Sequence, residues 1–331
     1  MKVLVTGGGG FLGTAVVQAL LDRGHEPTSL SRSRYAHLEE LGVPCVEADL
    51  GGDAERLEGV LAGQDAVVHT AAKAGVWGAP RDYEHANVLG TRNLVEAALK
   101  SGIQRLVHTS SPSVCFDGKD HKNARNDLPY AERFLAPYPR TKAAAERLVL
   151  RSNRVGGLAT CALRPHLIVG PGDPHLVPRL VAKGRAGRLA IVGKGDNEVS
   201  LTHVDNAAAA HVDALEALDS AEAPHAGRAY FLGQAEPVRL WDWVGELFDA
   251  LGVPRVRRRL PYRLAYAAGG ALELLWNFFP LPGEPPMTRF VAAQLATSHS
   301  YDLEPAQRDF GYRERVPLAE ATRSVIESAR S

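Results

Sequence analysis

Apolar side chains fall in short clusters along the first half of the chain, and the clusters alternate with stretches of helical period. Val3-Leu4-Val5 opens the series and leads into a helical pattern over residues 12–22. Residues 27–30 make a weaker strand, because Pro27 has no N–H to give to a ladder. Ala66-Val67-Val68-His69 is a clear strand. A helix over 91–100 feeds a strand at 105–109, and a helix over 143–150 feeds another at 160–163. Strands separated by helices at this spacing predict parallel βαβ units, and so an α/β fold with a doubly wound parallel sheet and right-handed crossovers.

After Pro165 the pattern changes. Gly170-Pro171-Gly172-Asp173-Pro174 is turn chemistry, and apolar, less regular segments fill 241–251 and 263–279. We expect residues 1–165 to form the sheet domain, with sheet elements returning to it near 200–235, at 201–218 and 229–232. Residues 166–199 and 236–331 then make a smaller, partly helical C-terminal region over the carboxyl edge of the sheet, where such sheets bind ligands.

Composition narrows the function classes. With Lys+Arg and Asp+Glu balanced at 38 each, nothing pulls the whole chain toward nucleic acid or an anionic surface. Cys45, Cys115 and Cys161 are scattered without metal-ligand spacing or a disulfide framework, and read as buried structural thiols in a reducing cytosol. The chain opens directly on a strand and a glycine turn, so no signal peptide and a cytoplasmic setting are expected. The apolar region 264–281 carries Glu273, two glycines and a proline, which makes it a poor spanning helix and a better buried or surface-docking one.

Thr6-Gly7-Gly8-Gly9-Gly10-Phe11-Leu12-Gly13 sits between the first strand and the first helix. Glycines at 7, 10 and 13 allow a tight turn, close approach to a pyrophosphate and close helix–strand packing, while the helix N-terminus faces the phosphates. This placement predicts a dinucleotide site in a Rossmann-type domain. Ser31 stands at the end of the second strand, where an NAD site would carry an acid. Arg32 is placed to pair with a 2′-phosphate and Ser31 and Ser33 to donate to it, so NADP(H) is expected over NAD(H). Arg34 reads as a solvated charge, and Asp49 as an adenine contact or a helix cap.

Tyr138-Pro139-Arg140-Thr141-Lys142 puts a phenol and an ammonium one turn apart at the head of a helix, with Pro139 suited to the first turn. An ammonium nearby makes a tyrosine usable as an acid–base group. The preceding strand ends Thr109-Ser110-Ser111-Pro112-Ser113-Val114. With these motifs in place, the chain resembles, over essentially its full length, the extended short-chain dehydrogenases/reductases and, among them, the 3β-hydroxysteroid dehydrogenase/isomerase family. Asn87-Val88-Leu89-Gly90-Thr91, Leu163-Arg164-Pro165 with Gly170-Pro171-Gly172, and Thr202-His203-Val204-Asp205-Asn206 match segments of that family. Toward the C-terminus, so do Pro286-Met287-Thr288-Arg289-Phe290 and Ala306-Gln307-Arg308-Asp309-Phe310-Gly311-Tyr312.

The resemblance implies an NAD(P)-dependent oxidoreductase in which Ser111 holds the reacting oxygen, Tyr138 moves its proton and Lys142 binds the nicotinamide ribose. Ser110 and Ser113 are then local capping or packing hydroxyls, and Asp205 and Asn206 brace the fold. Asn87 supports either a proton path or helix bracing. The expected cofactor contacts are Gly7, Gly10, Phe11, Leu12, Gly13, Ser31, Arg32, Asp49, Leu50, Ala71, Ala72, Tyr138, Lys142 and Pro165, with no metal ligand. Trp77, Ser111 and His166 are expected to face the substrate, with further apolar surface from Trp276, Phe278 and Phe279, whereas Trp241 and Trp243 pack the second core. Lys73 departs from the family pattern and is read as a solvated loop lysine in preference to a phosphate or substrate contact.

The stretches 71–78 and 281–286 look most like bacterial members that reduce a 2-alkyl-3-oxoalkanoate to the 3-hydroxy acid with NADPH in long-chain olefin synthesis. The runner-up is a 3β-hydroxysteroid or 4-carboxysterol dehydrogenase, and a non-catalytic NADP sensor is the alternative from another class. A homodimer through the helices at 91–100 and 142–150 is implied by the family. A weak membrane or pathway-enzyme contact is the further partner reading of 264–281.

Overall fold

The computed structural model describes residues 1–52, 54–279 and 281–330. Seven strands form one parallel sheet: β1 (Lys2–Thr6), β2 (Glu26–Ser31), β3 (Cys45–Glu47), β4 (Ala66–His69), β5 (Arg105–Thr109), β6 (Ala159–Pro165) and β7 (Arg228–Leu232), in the order β7-β6-β5-β4-β1-β2-β3. Branched residues dominate the central strands because both faces are covered. Val3, Val5, Val68 and Val107 point to one side, where α1 (Phe11–Asp22) and α4 (Val204–Ala217) lie. Leu4, Val67 and Leu106 point to the other, against α2 (Gly90–Lys100) and α3 (Pro137–Arg151). The strand order reverses between β1 and β4, and a crevice opens there at the carboxyl ends of the strands.

Pro27 sits inside β2 without cost. Ser29, which points its N–H the same way, bonds Pro44 O on the β3 side, but β3 pairs with β2 only from Ser29 onward. The N–H that Pro27 lacks would have had no strand to reach. The segment 201–218, expected as a sheet element, is mostly the helix α4. Its run Ala207-Ala208-Ala209-Ala210 favours a helix, and small side chains let it seat closely on α1. The strand Thr202–His203 before it pairs only with Ile168–Val169 in a separate ladder, so β7 alone rejoins the main sheet.

The segments read as less regular, at 241–251 and 263–279, are well-formed helices: α5 (Leu240–Ala250) and α6 (Tyr262–Phe278). Leu240, Trp241, Val244, Leu247 and Phe248 recur at helical spacing and bury against Val177 and Val325, so Trp241 and Trp243 pack a second core as expected. Trp243 gives its indole N–H to Thr322 at 3.1 Å. α6 packs on α7 (Arg289–Ala296), and α8 (Leu318–Arg330) closes the chain. Asn206, fully buried in α4, ties the last segment down. Its amide donates to Gln234 Oε1 and Val316 O, both at 2.8 Å, and its carbonyl accepts the N–H groups of Arg315 and Val316. Cys115 and Cys161 are buried and Cys45 is half-buried, all as free thiols. Among the described residues no cluster could hold a metal ion, and no helix is long and apolar enough to cross a membrane.

Candidate active site

A cavity of about 850 Å³ lies over the crevice between β1 and β4. The glycine loop forms its floor. Gly7 takes φ +71°, and a Cβ there would meet Ala71 Cα at 2.9 Å. A Cβ on Gly13 would stand 2.0 Å from Gly7 O, so any larger residue would push α1 off the turn. α1 begins at Gly10 without a side-chain cap, which leaves its first N–H groups free to face a phosphate. Gly7, Gly10, Phe11, Leu12 and Gly13 all line the cavity, as do Asp49, Leu50, Ala71, Ala72 and Pro165.

The end of β2 tests which cofactor fits. Ser31 Oγ is buried there without a hydrogen-bond partner, beside Arg32 and Ser33. An orphaned hydroxyl next to an exposed guanidinium suits a ligand oxygen, and a 2′-phosphate offers several. Asp49 is already engaged: burial would raise its carboxyl, but bonds from His85 and the Gly51 N–H hold it below its ordinary value. The sequence reading missed Tyr35, whose ring lies 2.0 Å from where a Cβ on Gly9 would stand. Its only signal was an aromatic residue placed just after Ser31-Arg32-Ser33-Arg34.

Pro137 opens α3, so Tyr138 stands half-buried at the helix head and Lys142 is buried one turn on. Lys142 Nζ donates to Thr109 O at 2.5 Å and lies 3.3 Å from His108 Nε2. Ser111, in extended conformation past β5, accepts the Ser113 N–H and lies 2.9 Å from the Ser113 hydroxyl. Ser111, Tyr138 and Lys142 line the same cavity as the glycine loop. Burial raises the Tyr138 phenol, and the nearby Ser111 hydroxyl offsets only part of that rise. Burial also drives Lys142 down to about 8 from the ordinary 10.5, against the pull of Glu146. In ¹⁵N-lysine NMR of the cofactor-free protein, one ammonium should therefore titrate near 8, and Lys142→Met should remove that resonance. A spectrum in which every lysine titrates near 10.5 would contradict this environment.

The support beneath the triad was only partly foreseen. Glu146 lies one turn beyond Lys142 and is fully buried. It accepts Arg164 Nε at 2.9 Å, an Arg164 terminal nitrogen at 2.6 Å and the Tyr130 hydroxyl at 2.6 Å, clamping α3 to β6. The spacing Tyr138, Lys142, Glu146 on one helix face was the available signal. Asn87, in the π-helical turn Glu84–Leu89, is spent on bracing: its amide grips both backbone groups of Lys73 and the Thr141 hydroxyl. Lys73 itself lines the cavity instead of standing free in solvent, 4.0 Å from Asp82.

Just past β6, His166 is buried, lines the cavity, and has an Nε2 without a partner. Burial, and then His121, lower its pKa to about 3, so it faces the cavity neutral. Its ring packs against His299 at 5.5 Å and Tyr301 at 5.6 Å. Leu167 beyond it takes φ +41°, a left-handed conformation costing about 1–3 kcal/mol, which turns the chain at this rim. Trp77 is not among the residues lining the cavity; its carbonyl accepts the Tyr83 hydroxyl at 2.9 Å. The aromatic surface expected from α6 is also displaced. Phe278 and Phe279 are 79% and 58% exposed, because the small residues Ala265 and Gly269 take the inward face and turn the large ones out. Phe290 and Gln294 of α7 line the cavity instead.

Residues 4–262 match the 3-beta hydroxysteroid dehydrogenase/isomerase family. The chain is 47% identical over 331 residues to a Stenotrophomonas maltophilia (strain K279a) protein named 2-alkyl-3-oxoalkanoate reductase, with 99% of each covered. It is 33% identical over 333 residues to the sterol-4-alpha-carboxylate 3-dehydrogenase, decarboxylating, of Mus musculus, covering 99% of this chain and 90% of that one. Among solved structures it is similar to MoeE5 in complex with UDP-glucose and NAD, with a TM-score of 0.76, 26% identity, and coverage of 100% of this chain and 99% of that one.

Proposed function

Because the chain belongs to the 3-beta hydroxysteroid dehydrogenase/isomerase family and is an NAD(P)-dependent oxidoreductase acting on hydroxyl or keto groups, we propose that it reduces the 3-oxo group of a 2-alkyl-3-oxoalkanoate with NADPH. The observation that carries this reading is the convergence of Ser111, Tyr138, Lys142 and the glycine loop on one cavity. NADPH, when bound on the glycine loop, would supply the hydride for the carbonyl carbon. Ser111 holds the carbonyl oxygen by its hydroxyl, and Tyr138 gives that oxygen its proton. Lys142, anchored on Thr109 O, holds the cofactor ribose and favours the tyrosinate left behind. The unpartnered Nε2 of His166, at the same end of the cavity, suits the carboxylate of a β-keto acid as a neutral donor. The chain's three free thiols suit the cytoplasmic setting of this reading, and a homodimer through α2 and α3 belongs to the same proposal.

A 3β-hydroxysteroid or 4-carboxysterol dehydrogenase is the second reading, favoured by the mouse relative. NADPH oxidation with a long-chain 2-alkyl-3-oxoalkanoate, a 3-ketosteroid and a UDP-sugar separates the two. Oxidation with the first is expected. Turnover of the ketosteroid alone would move the assignment to sterols, and silence with all three beside tight NADPH binding would overturn catalysis on this substrate class. Arg32→Ala should weaken NADPH about 10- to 100-fold, for one charged contact of about 1.5–3 kcal/mol, and leave NADH binding unchanged. Equal loss for both cofactors would remove the phosphate role of Arg32.

A further inference from the structure

α6 is amphipathic in the reverse of the usual sense. Its outward stripe is Leu264, Ala268, Ala271, Leu274, Leu275 and Phe278, at helical spacing and all exposed. Phe279 and Leu281 prolong it, so that six of the nine exposed large apolar side chains among the described residues lie in this one stretch. A patch this concentrated marks an interaction surface, where scattered apolar residues would need no explanation. The helix cannot roll to hide it. A Cβ on Gly269 would stand 2.7 Å from the Thr288 carbonyl carbon, and the Glu273 carboxylate, on the inward face, accepts the Arg289 backbone N–H and Nε, each at 2.7 Å.

The charges around the stripe say what covers it. Arg257, Arg258 and Arg263 are exposed at its N-terminal end, and none has an ion-pair partner among the described residues. The neighbouring Arg255 does, on Asp249, and Arg259 donates to Lys194 O. The one acid of α6, Glu273, is buried and paired. An exposed apolar face flanked by unpaired arginines, with the exposed carboxylate just beyond it, Glu284, already paired to Arg179, complements an anionic headgroup layer over an acyl boundary.

We propose that α6 and the turn after it dock the enzyme on an anionic lipid surface, lying in the headgroup plane. At 17 residues the helix does not span. The patch is joined to elements that line the cavity: Glu284, just past Leu281, pairs at 3.3 Å with Arg179 of the helix Leu176–Arg185, whose first residue lines the cavity, and α7 beneath α6 supplies Phe290 and Gln294. A long-chain β-keto acid would thus pass from the lipid to Tyr138 with little exposure to water. That route rests on the substrate reading above; the docking itself does not.

The test is co-sedimentation of the whole protein, without substrate, with vesicles of phosphatidylcholine plus phosphatidylglycerol and with vesicles of phosphatidylcholine alone. Binding to the anionic vesicles, weakened by salt, is expected. Leu274→Glu with Phe278→Glu should weaken it about tenfold or more, and Arg257→Gln with Arg258→Gln and Arg263→Gln should weaken it toward the level of neutral vesicles. NADPH oxidation with a short soluble β-keto acid should stay unchanged in both variants, which shows that they fold. No binding by the native protein, or binding that the variants leave intact, would overturn the proposal. So would a native oligomer that the glutamate variants split, since the stripe would then be covered by a second copy.

Discussion

Tyr138→Phe should lower kcat by about 10²–10⁴-fold, the usual worth of a positioned proton donor, with the Kd for NADPH close to the native value. The phenol stands half-buried at the head of α3, with the Ser111 hydroxyl and the Tyr83 phenol near its own hydroxyl. Phenylalanine fills the same space and keeps Pro137, Thr141 and Lys142 where they are, so cofactor binding on the glycine loop has no reason to change. Burial holds the native phenol protonated at neutral pH, as a group that must donate a proton requires. Stopped-flow reduction and NADPH titration of the same variant check both halves. Turnover within a few-fold of native would exclude Tyr138 as the donor, and a parallel loss of cofactor affinity would mean the helix had moved.

Glu146→Gln should destabilise the fold by about 3–5 kcal/mol, because it leaves the Arg164 guanidinium buried without its countercharge. Arg164 and Glu146 are 4% and 0% exposed, so solvent screens little of their attraction. A second substitution, Arg164→Met, should restore much of the loss by removing the stranded charge, and urea midpoints of the single and double variants measure it. The acid limb has a definite sign. Burial alone would raise the Glu146 carboxyl, but Arg164, together with the Ser110 and Tyr130 hydroxyls, outweighs it and holds the folded-state pKa below the unfolded one. The stabilisation is therefore complete above the unfolded glutamate range and is withdrawn as pH falls through the folded value. The Gln variant should lack that share of the acid dependence. If its midpoint falls no further than that of an exposed-site control such as Glu132→Gln, the clamp does not carry the load assigned to it.

Much of the nucleotide half was legible because its signals are local. Val3-Leu4-Val5, the glycine loop and the strands Ala66–His69 and Arg105–Thr109 each declare themselves within a few residues. Tyr138 and Lys142 are one helical turn apart, and that spacing alone puts them together. What stayed hidden depends on residues far apart in the chain. Arg164 meets Glu146 only once β6 has docked under α3, and Tyr35 reaches Gly9 only when the loop after β2 folds back. In α6 the expectation failed for another reason. An apolar helix is ordinarily turned inward by its largest side chains, but here Gly269 and Glu273 hold the inward face by contacts with 288 and 289 that no periodicity encodes. Trp77 misled in the same way, since an aromatic residue in a glycine-flanked loop has no fixed direction.

The position of α4 has a consequence for how the chain is made. Val16, Val17 and Leu20 of α1 find their cover in Ala208, Ala210, Val212 and Leu215, which are synthesised much later. At ordinary translation rates the wait is about ten to forty seconds. During that time the first βα unit, glycine loop included, hangs from the ribosome with an open apolar flank. The flank of the nucleotide pocket is thus covered only once nearly two thirds of the protein has emerged, and nascent chains that stall short of α4 would offer chaperones a bare helix face in place of a competent binding site.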